Sequence, residues 1–216
     1  MITFSNITRH DNLPFEDYLK LPGFSHSFLK NYYNGVQKFF NRTDKVVIGK
    51  VVDLILSGGV PDIKDPLYPI GKRIAYHIHK EYGDVIELME KQAAYTAELQ
   101  YLKFLMTGKF LPDFTLKNTM VVDLKVTHEK ITSKKKLQDL ILYMGYHNQL
   151  WGYSGVAEVP DAYIMAHSVP LKETIIEDMR NIIPNWWNAS NTFWEDKIVQ
   201  FGTYQPDEDE EMEDEE

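Results

Sequence analysis

Cysteine is absent from this sequence. That one absence excludes disulfides, thiolate zinc sites, iron–sulfur clusters and cysteine nucleophiles together, and a cytoplasmic setting is the simplest expectation. No apolar run approaches the roughly 20 residues of a membrane helix, so no membrane partner is expected. The opening "MITFSNITRHDNLPF" lacks the charged and apolar regions of a signal peptide, and none is expected. A Gly-x-x-x-x-Gly-Lys-Ser/Thr loop occurs nowhere, which leaves no phosphate loop for a nucleotide-driven motor. Basic excess is missing too. The formal net charge is −9, from 32 acids against 23 bases, but the final "DEDEEMEDEE" holds nine of those acids and no base. Setting those nine aside leaves 23 acids against 23 bases. The body is therefore neutral, which neither argues for nucleic-acid binding nor excludes it. The run from Asp207 to Glu216 is a like-charge block expected to stay disordered. It reads either as a solubilising end or as an arm that docks on a partner or competes for a basic groove.

What is present suits one domain. The 216 residues are 44% hydrophobic and 13% aromatic, enough to bury a sizeable core. Residues 1–24 read as irregular, ending in the turn Leu21-Pro22-Gly23. "SHSFLKNYYNGVQKFFN" follows, with Ser25 or Ser27 as a helix cap and Phe28, Leu29, Tyr32, Tyr33, Val36, Phe39 and Phe40 at helical spacing. A second helix is expected from near Ile48, closed by Gly58-Gly59. After a loop carrying Pro61, Pro66 and Pro69, "GDVIELMEKQAAYTAELQYLKFLMTG" reads as one long helical stretch ending at Gly108. The period then changes. "KFLPDFTL" and "NTMVVDLKV" read as two strands joined at Lys117-Asn118. A lysine-rich loop leads to a helix "KLQDLILYMGYHNQLWGYSG", a strand "DAYIMAHSV", a helix "LKETIIEDMRNI" and an aromatic-rich end. The predicted fold is mixed α+β, a small central mixed sheet flanked by helices, without internal repeats. Its parts are a helical stretch over 1–107, a core over 108–170, a helical end over 171–206 and the acidic tail over 207–216.

The predicted hairpin holds charges that need a reason. Strand interiors normally exclude Asp and Lys, because a buried charge is costly unless paired or metal-bound. Yet Met120-Val121-Val122 runs straight into Asp123, with Lys125 two residues on and Asp113 upstream behind Pro112. Two carboxylates on adjacent strand ends can share a divalent cation, and oxygen ligands favour Mg²⁺ or Mn²⁺ over zinc. Asp113 and Asp123 would supply the acids, and the Leu124 backbone carbonyl a further ligand. Lys125 shares a strand face with Asp123. Its ammonium would reach the same point, where it can orient a water or offset charge on a phosphate. That set describes metal-assisted phosphodiester hydrolysis. The competing reading is an edge strand whose Asp and Lys face solvent while Leu124 points inward. Other Pro-Asp pairs and acid-x-Lys triplets occur, such as Pro61-Asp62 and Glu195-Asp196-Lys197. Only Asp113 with Asp123 and Lys125 joins both halves at hairpin spacing.

These residues resemble the PD-(D/E)xK nuclease superfamily, whose signature here reads Pro112-Asp113 and then Asp123-Leu124-Lys125. The more specific resemblance is to its RecB/RecE-like, phage-type exonuclease branch. That branch carries Gln-x-x-x-Tyr on the helix after the catalytic strand, matched by Gln149-Leu150-Trp151-Gly152-Tyr153. The i, i+4 spacing puts Gln149 and Tyr153 on one helical face. It also carries Gly-x-x-x-His on an upstream helix, the histidine being a metal ligand. Gly49-Lys50-Val51-Val52-Asp53 stands at the matching place, with an aspartate where the histidine is expected. Mg²⁺ is a hard cation that accepts this oxygen ligand. "SHSFLK" is similar to the Ser-x-Ser-x-Leu start of phage-type members, so the resemblance spans residues 18–168.

The resemblance implies a restriction-endonuclease-like core with an N-terminal helical extension. It implies a Mg²⁺-dependent DNA exonuclease, Mn²⁺ substituting, that serves phage or prophage recombination or DNA processing inside a bacterial or phage-infected cell. Asp53, Asp113, Asp123 and Leu124 would hold the metal, Lys125 would position the water, and Gln149 and Tyr153 would support the site or touch the strand. Implied partners are DNA, a single-strand-binding or annealing protein, and further copies of the chain. A structure-specific endonuclease and a non-catalytic DNA-binding or assembly module on the same fold stay open as alternatives. Lys130, Lys134, Lys135 and Lys136 follow the catalytic strand and read either as a solvated loop or as phosphate-tracking residues at a groove mouth. His77 and His79 have the spacing of a strand metal pair but no evident third ligand, which favours a surface role. Trp186, Trp187 and Trp194 are expected in the core or at a subunit contact rather than stacked on bases.

Overall fold

Alternation of period two, not helical spacing, governs the middle of the chain. In "AYTAELQY" Tyr95, Ala97 and Leu99 are buried while Thr96, Glu98 and Gln100 are more exposed, and the segment is a strand. The structure is a computed structural model and describes residues 1–11, 13–33, 36–37 and 43–205. Its elements begin with β1 (Thr3–His10), α1 (Phe15–Lys20), α2 (His26–Asn31), the short strands β2 (Tyr32–Tyr33) and β3 (Val36–Gln37), α3 (Asp44–Leu56) and α4 (Tyr68–Glu87). Five strands follow: β4 (Glu90–Lys91), β5 (Ala94–Tyr101), β6 (Phe104–Phe110), β7 (Phe114–Leu116) and β8 (Met120–Thr127). Then come α5 (Lys134–Met144), α6 (Tyr146–Ala157), β9 (Asp161–Ser168), β10 (Glu173–Asp178), α7 (Met179–Ile182), α8 (Trp186–Phe201) and β11 (Thr203–Tyr204). The acidic tail, the pair Asn34-Gly35, and Phe39 and Phe40 lie outside the described residues.

The fold class is the mixed α+β expected, with two principal sheets where one was expected. The larger has strand order β10-β9-β8-β7-β4, and the other β1-β5-β6-β11. Within the larger sheet only β8 and β9 run parallel, joined across α5 and α6, as a parallel pair requires. The predicted hairpin forms: Leu116 pairs with Met120, and Asn118 takes the left-handed turn conformation at φ 57°. Its first arm is shorter than expected. Lys109 and Phe110 belong to β6 of the other sheet, and Leu111-Pro112-Asp113 carries the chain between sheets. Pro112 has no N–H to continue a ladder, so the break falls there.

Several expectations are corrected by long-range pairing. The stretch 83–108 is helical only to Glu87; the rest forms β4, β5 and β6, because pairing of β5 with β1 and β6 outweighs the helix propensity of its Ala, Glu and Leu. "LKETIIEDMRNI" is mostly strand, since Lys172 at φ 56° turns the chain back and β10 pairs along β9. The N-terminal irregular region contains β1 and α1; a bulge near Asn6, at φ 50°, breaks the alternation that would reveal a strand. α2 stops at Asn31, capped at its start by Ser25. α3 starts at Asp44, with Thr43 as cap, rather than near Ile48. The helix after the lysine loop is two helices, because Gly145 at φ 68° ends α5 and starts α6.

Apolar side chains form two cores. One lies between α6, α8 and the sheets and is centred on Phe110, Trp151 and Trp194. The other packs α3 and α4 on the opposite face of the larger sheet, with Val52, Ile78, Phe114, Val122 and Leu124. β8 thus carries Val121 into one core and Val122 and Leu124 into the other.

Candidate active site

β8 outruns its neighbour, and that mismatch opens the site. β7 begins at Phe114, opposite Val122, so residues beyond Val122 have no partner strand on that side. Asp113, just before β7, fills the gap: its Oδ2 accepts the Leu124 N–H at 2.7 Å. N–H and C=O of one strand residue face the same edge, so the Leu124 carbonyl is directed there too. Asp123 and Lys125 share the other face of β8. Lys125 Nζ donates to Asp123 Oδ1 at 2.6 Å, with Asp123 fully buried and Lys125 only 18% exposed. The solvent-facing edge-strand reading therefore fails for this pair.

Asp53 enters from α3. Its Oδ2 accepts from Gln92 Nε2 at 2.7 Å, and the Gln92 N–H donates to the Asp113 carbonyl at 3.1 Å. Gln92 holds a left-handed φ of 50° while bridging the two acids. The sequence reading missed it, because a residue assigned to a helix offers no signal of that kind. On α6, Gln149 Nε2 donates to the Tyr153 hydroxyl, as the i, i+4 spacing anticipated. Tyr146, also missed, lies with its ring 5.0 Å from Lys125 Nζ.

Electrostatics ties these groups together. Burial pushes the Asp113 carboxyl well above the usual carboxylate range, and repulsion from Asp123 and Asp53 adds to it. Burial also raises Asp53, reinforced by Asp123 and opposed by Gln92 and Lys125. Burial alone would lower Lys125, but attraction to Asp123 and Asp113 outweighs it and keeps the ammonium charged. Tyr153 is raised far above 10, first by burial and then by Asp123 and Asp113. Asp53 Oδ1 and Asp123 Oδ2 are buried with no hydrogen-bond partner among the described residues.

Crowded carboxylates with orphaned oxygens fit a hard divalent cation. Among the described residues, no three His, Asp or Glu side chains are grouped so that, as placed, they could hold a metal ion. Asp113 and Asp123 each give one oxygen to a protein donor instead. The donor set is all oxygen, which suits Mg²⁺ or Mn²⁺ and not zinc.

The site forms the floor of a cleft of about 1180 Å³ between α1 and α3 on one side and α5 and α6 on the other. Lys30, Lys45, Lys50, Lys109, Lys130 and Lys136 line it, with Glu129 and Asp139 as the acids outside the floor. The neutral body thus concentrates cations at one place. Lys130 and Lys136 of the predicted lysine group reach the cleft; Lys134 and Lys135 do not line it, and Lys135 pairs with Asp139 at 2.9 Å. His77 and His79 sit on helix α4 rather than a strand, His79 beside Glu87. Trp186 and Trp194 are buried as expected, and Trp194 Nε1 donates to the Asn148 carbonyl at 2.9 Å; Trp187 is 39% exposed.

Comparison with solved structures agrees with this architecture. A crystal structure from Eubacterium rectale, provisionally named an exonuclease, superposes with a TM-score of 0.63 at 16% identity, over 82% of this chain and 78% of that one. The chain shares that protein's fold. A phage-related exonuclease from Haemophilus somnus aligns over 81% of this chain and 92% of its own at 15% identity, with a TM-score of 0.34, too loose to carry weight. No protein-family model matches the sequence, and no curated protein matches it either. No helix among the described residues is long and apolar enough to cross a membrane.

Proposed function

We propose that this chain is a Mg²⁺- or Mn²⁺-dependent nuclease that hydrolyses DNA phosphodiester bonds from strand ends, as the RecB/RecE-like branch of the PD-(D/E)xK superfamily does. The observation that carries the reading is the floor of the cleft, where Asp53, Asp113 and Asp123 crowd around a charged Lys125. A structural salt bridge needs one acid; this site gathers three and leaves two of their oxygens unpaired. Asp53, Asp113, Asp123 and the Leu124 carbonyl would hold the cation, which supplies Lewis acidity at the phosphate when bound.

The chain's own groups do the rest. A water oxygen bonds to phosphorus as a phosphorus–oxygen ester bond breaks; the water gives up one proton to solvent and the departing oxygen takes one up, so it leaves as a hydroxyl. Lys125 stays protonated beside Asp123, so it acts as a donor and not as a base, aligning the water and offsetting charge that grows on the phosphate. The Tyr153 hydroxyl accepts from Gln149, which leaves its own proton free to donate into the cleft. Rim lysines hold the flanking phosphates. An exonuclease role in phage-type recombination, with an annealing partner or a ring of copies, is part of the same proposal and rests on the resemblance.

The test is digestion of end-labelled linear DNA and covalently closed circles in Mg²⁺, Mn²⁺ or EDTA, with Asp123→Asn in parallel. Loss of linear DNA only, absent in EDTA and reduced about 100-fold or more in the variant, is expected. Linearised circles would make the chain an endonuclease. Intact DNA under every condition would leave a non-catalytic module.

A further inference from the structure

The cleft carries more exposed apolar surface than phosphate binding requires. On its α1–α3 wall Phe15 is 51% exposed, Leu19 55% and Val46 56%. On the opposite wall Tyr143 is 85% exposed, and among the described residues it takes part in no ring contact or hydrogen bond. Large side chains left open in one concave place point to a ligand with an apolar face. Lysines alternate with them: Lys50 Nζ lies 5.5 Å from the Phe15 ring, and Lys136 stands two helical turns before Tyr143 on the same cleft-facing side of α5.

We infer that the cleft takes an unpaired DNA strand, with bases laid against Tyr143 and the Phe15–Leu19–Val46 wall and phosphates held by the lysines between. The inference rests on the nucleic-acid reading of the site and names its substrate class. A duplex hides its base faces in its own stack and offers this cleft sugar, phosphate and groove edges but no face for an aromatic ring to stack on. An unpaired strand exposes base faces and phosphates both, and aromatic platforms inside a basic groove bind it without sequence preference. The volume of about 1180 Å³ exceeds that of most small-molecule pockets and suits an extended chain. Tyr143 is three residues from Tyr146, whose ring lies beside Lys125. Tyr143, Tyr146 and Lys125 line one cleft, so a strand with a base on Tyr143 could run on toward the floor, where it would be cut. The consequence is specificity for single-stranded ends and overhangs, with blunt duplex accepted only after fraying.

The experiment compares three fluorescent probes in EDTA with the full chain: a 12-nucleotide oligo-dT, an abasic strand of equal length and charge, and a blunt hairpin duplex. Oligo-dT is expected to bind about tenfold more tightly than the abasic strand, from one or two stacked bases. Tyr143→Ala should remove most of that difference and leave abasic affinity unchanged; the residue's exposure keeps the variant folded. Lys50→Ala should weaken both strands alike. Equal affinity for oligo-dT and abasic strand would overturn the inference, as would a duplex bound at least as tightly as oligo-dT. Base-dependent binding without cleavage in Mg²⁺ would uphold the strand-binding surface and reject the nuclease reading. Cleavage without base dependence would do the reverse.

Discussion

Asp113 shares the cleft floor with Asp53 and Asp123, and the crowding has a cost in the metal-free protein. In the unfolded chain its carboxyl ionises near pH 4, whereas the folded chain keeps the proton to higher pH because burial and two neighbouring acids disfavour the anion. The folded state then binds more protons, so stability falls as pH rises from about 4 through the folded value. Asp113→Asn keeps a side-chain acceptor for the Leu124 N–H and removes the charge. Its melting temperature in EDTA at pH 8 should exceed wild type by about 4 °C. Added Mg²⁺ should raise the wild-type value and leave the variant unmoved. A variant that melts lower than wild type at pH 8 would mean that the carboxylate is structural. Gln92 acts through the acids it orients, with its side chain on Asp53 and its N–H on the Asp113 carbonyl. Gln92→Leu should weaken Mn²⁺ binding about tenfold by calorimetry, with little change in DNA affinity in EDTA.

Among the elements, α6 has the closest fit. A methyl group added at Gly152 would lie 2.5 Å from Phe110 and 3.3 Å from Trp194, both fully buried. Gly152→Val should cost about 2 kcal/mol of stability in denaturant unfolding. It should also lower cleavage more than Mn²⁺ affinity, because it displaces Gln149 and Tyr153 but not the acids. Legibility in the sequence follows the same lines. The hairpin could be read because Val121-Val122 breaks into charges at strand period and Lys117-Asn118 supplies a turn. Gln149 and Tyr153 could be singled out because they match the Gln-x-x-x-Tyr of the family resembled, and local helical spacing then settles their common face. β5 and β10 could not, since Ala, Glu, Leu and Ile suit either state and only partners 80 or more residues away, or across a turn set by Lys172, decide between them. Gln92 was hidden inside the misread stretch, and Tyr146 beyond the break that Gly145 makes in a helix expected to be continuous.

Across the whole molecule, charge is distributed in a way no count reveals. Lys30, Lys45, Lys50 and Lys109 come from α2, α3 and β6 and meet only because the fold brings those elements to one cleft. Under the proposed function, a body with no net charge would thus offer a polyanion one basic face. Oligo-dT affinity should fall with salt with a log–log slope of about −3, the value for roughly four neutralised phosphates on a single strand. If those lysines bind DNA, the nine acids of Asp207–Glu216 would compete for them electrostatically. Ending the chain at Gln205 should tighten oligo-dT binding at low ionic strength and make no difference at about 0.5 M salt, where the Debye length is only a few ångströms. Equal affinity at low salt would remove the tail from the mechanism.

In the proposed reaction Lys125 is the group that joins the acids to the phosphate. The decisive measurement is the single-turnover cleavage rate of an end-labelled oligonucleotide in Mg²⁺, for wild type and for Lys125→Ala, with Mn²⁺ binding measured on the same samples. A rate lowered about 100-fold or more, with the cation still bound and the protein still folded, is the predicted result. Cleavage by the variant at close to the wild-type rate, or no metal-dependent cleavage by wild type, would contradict it.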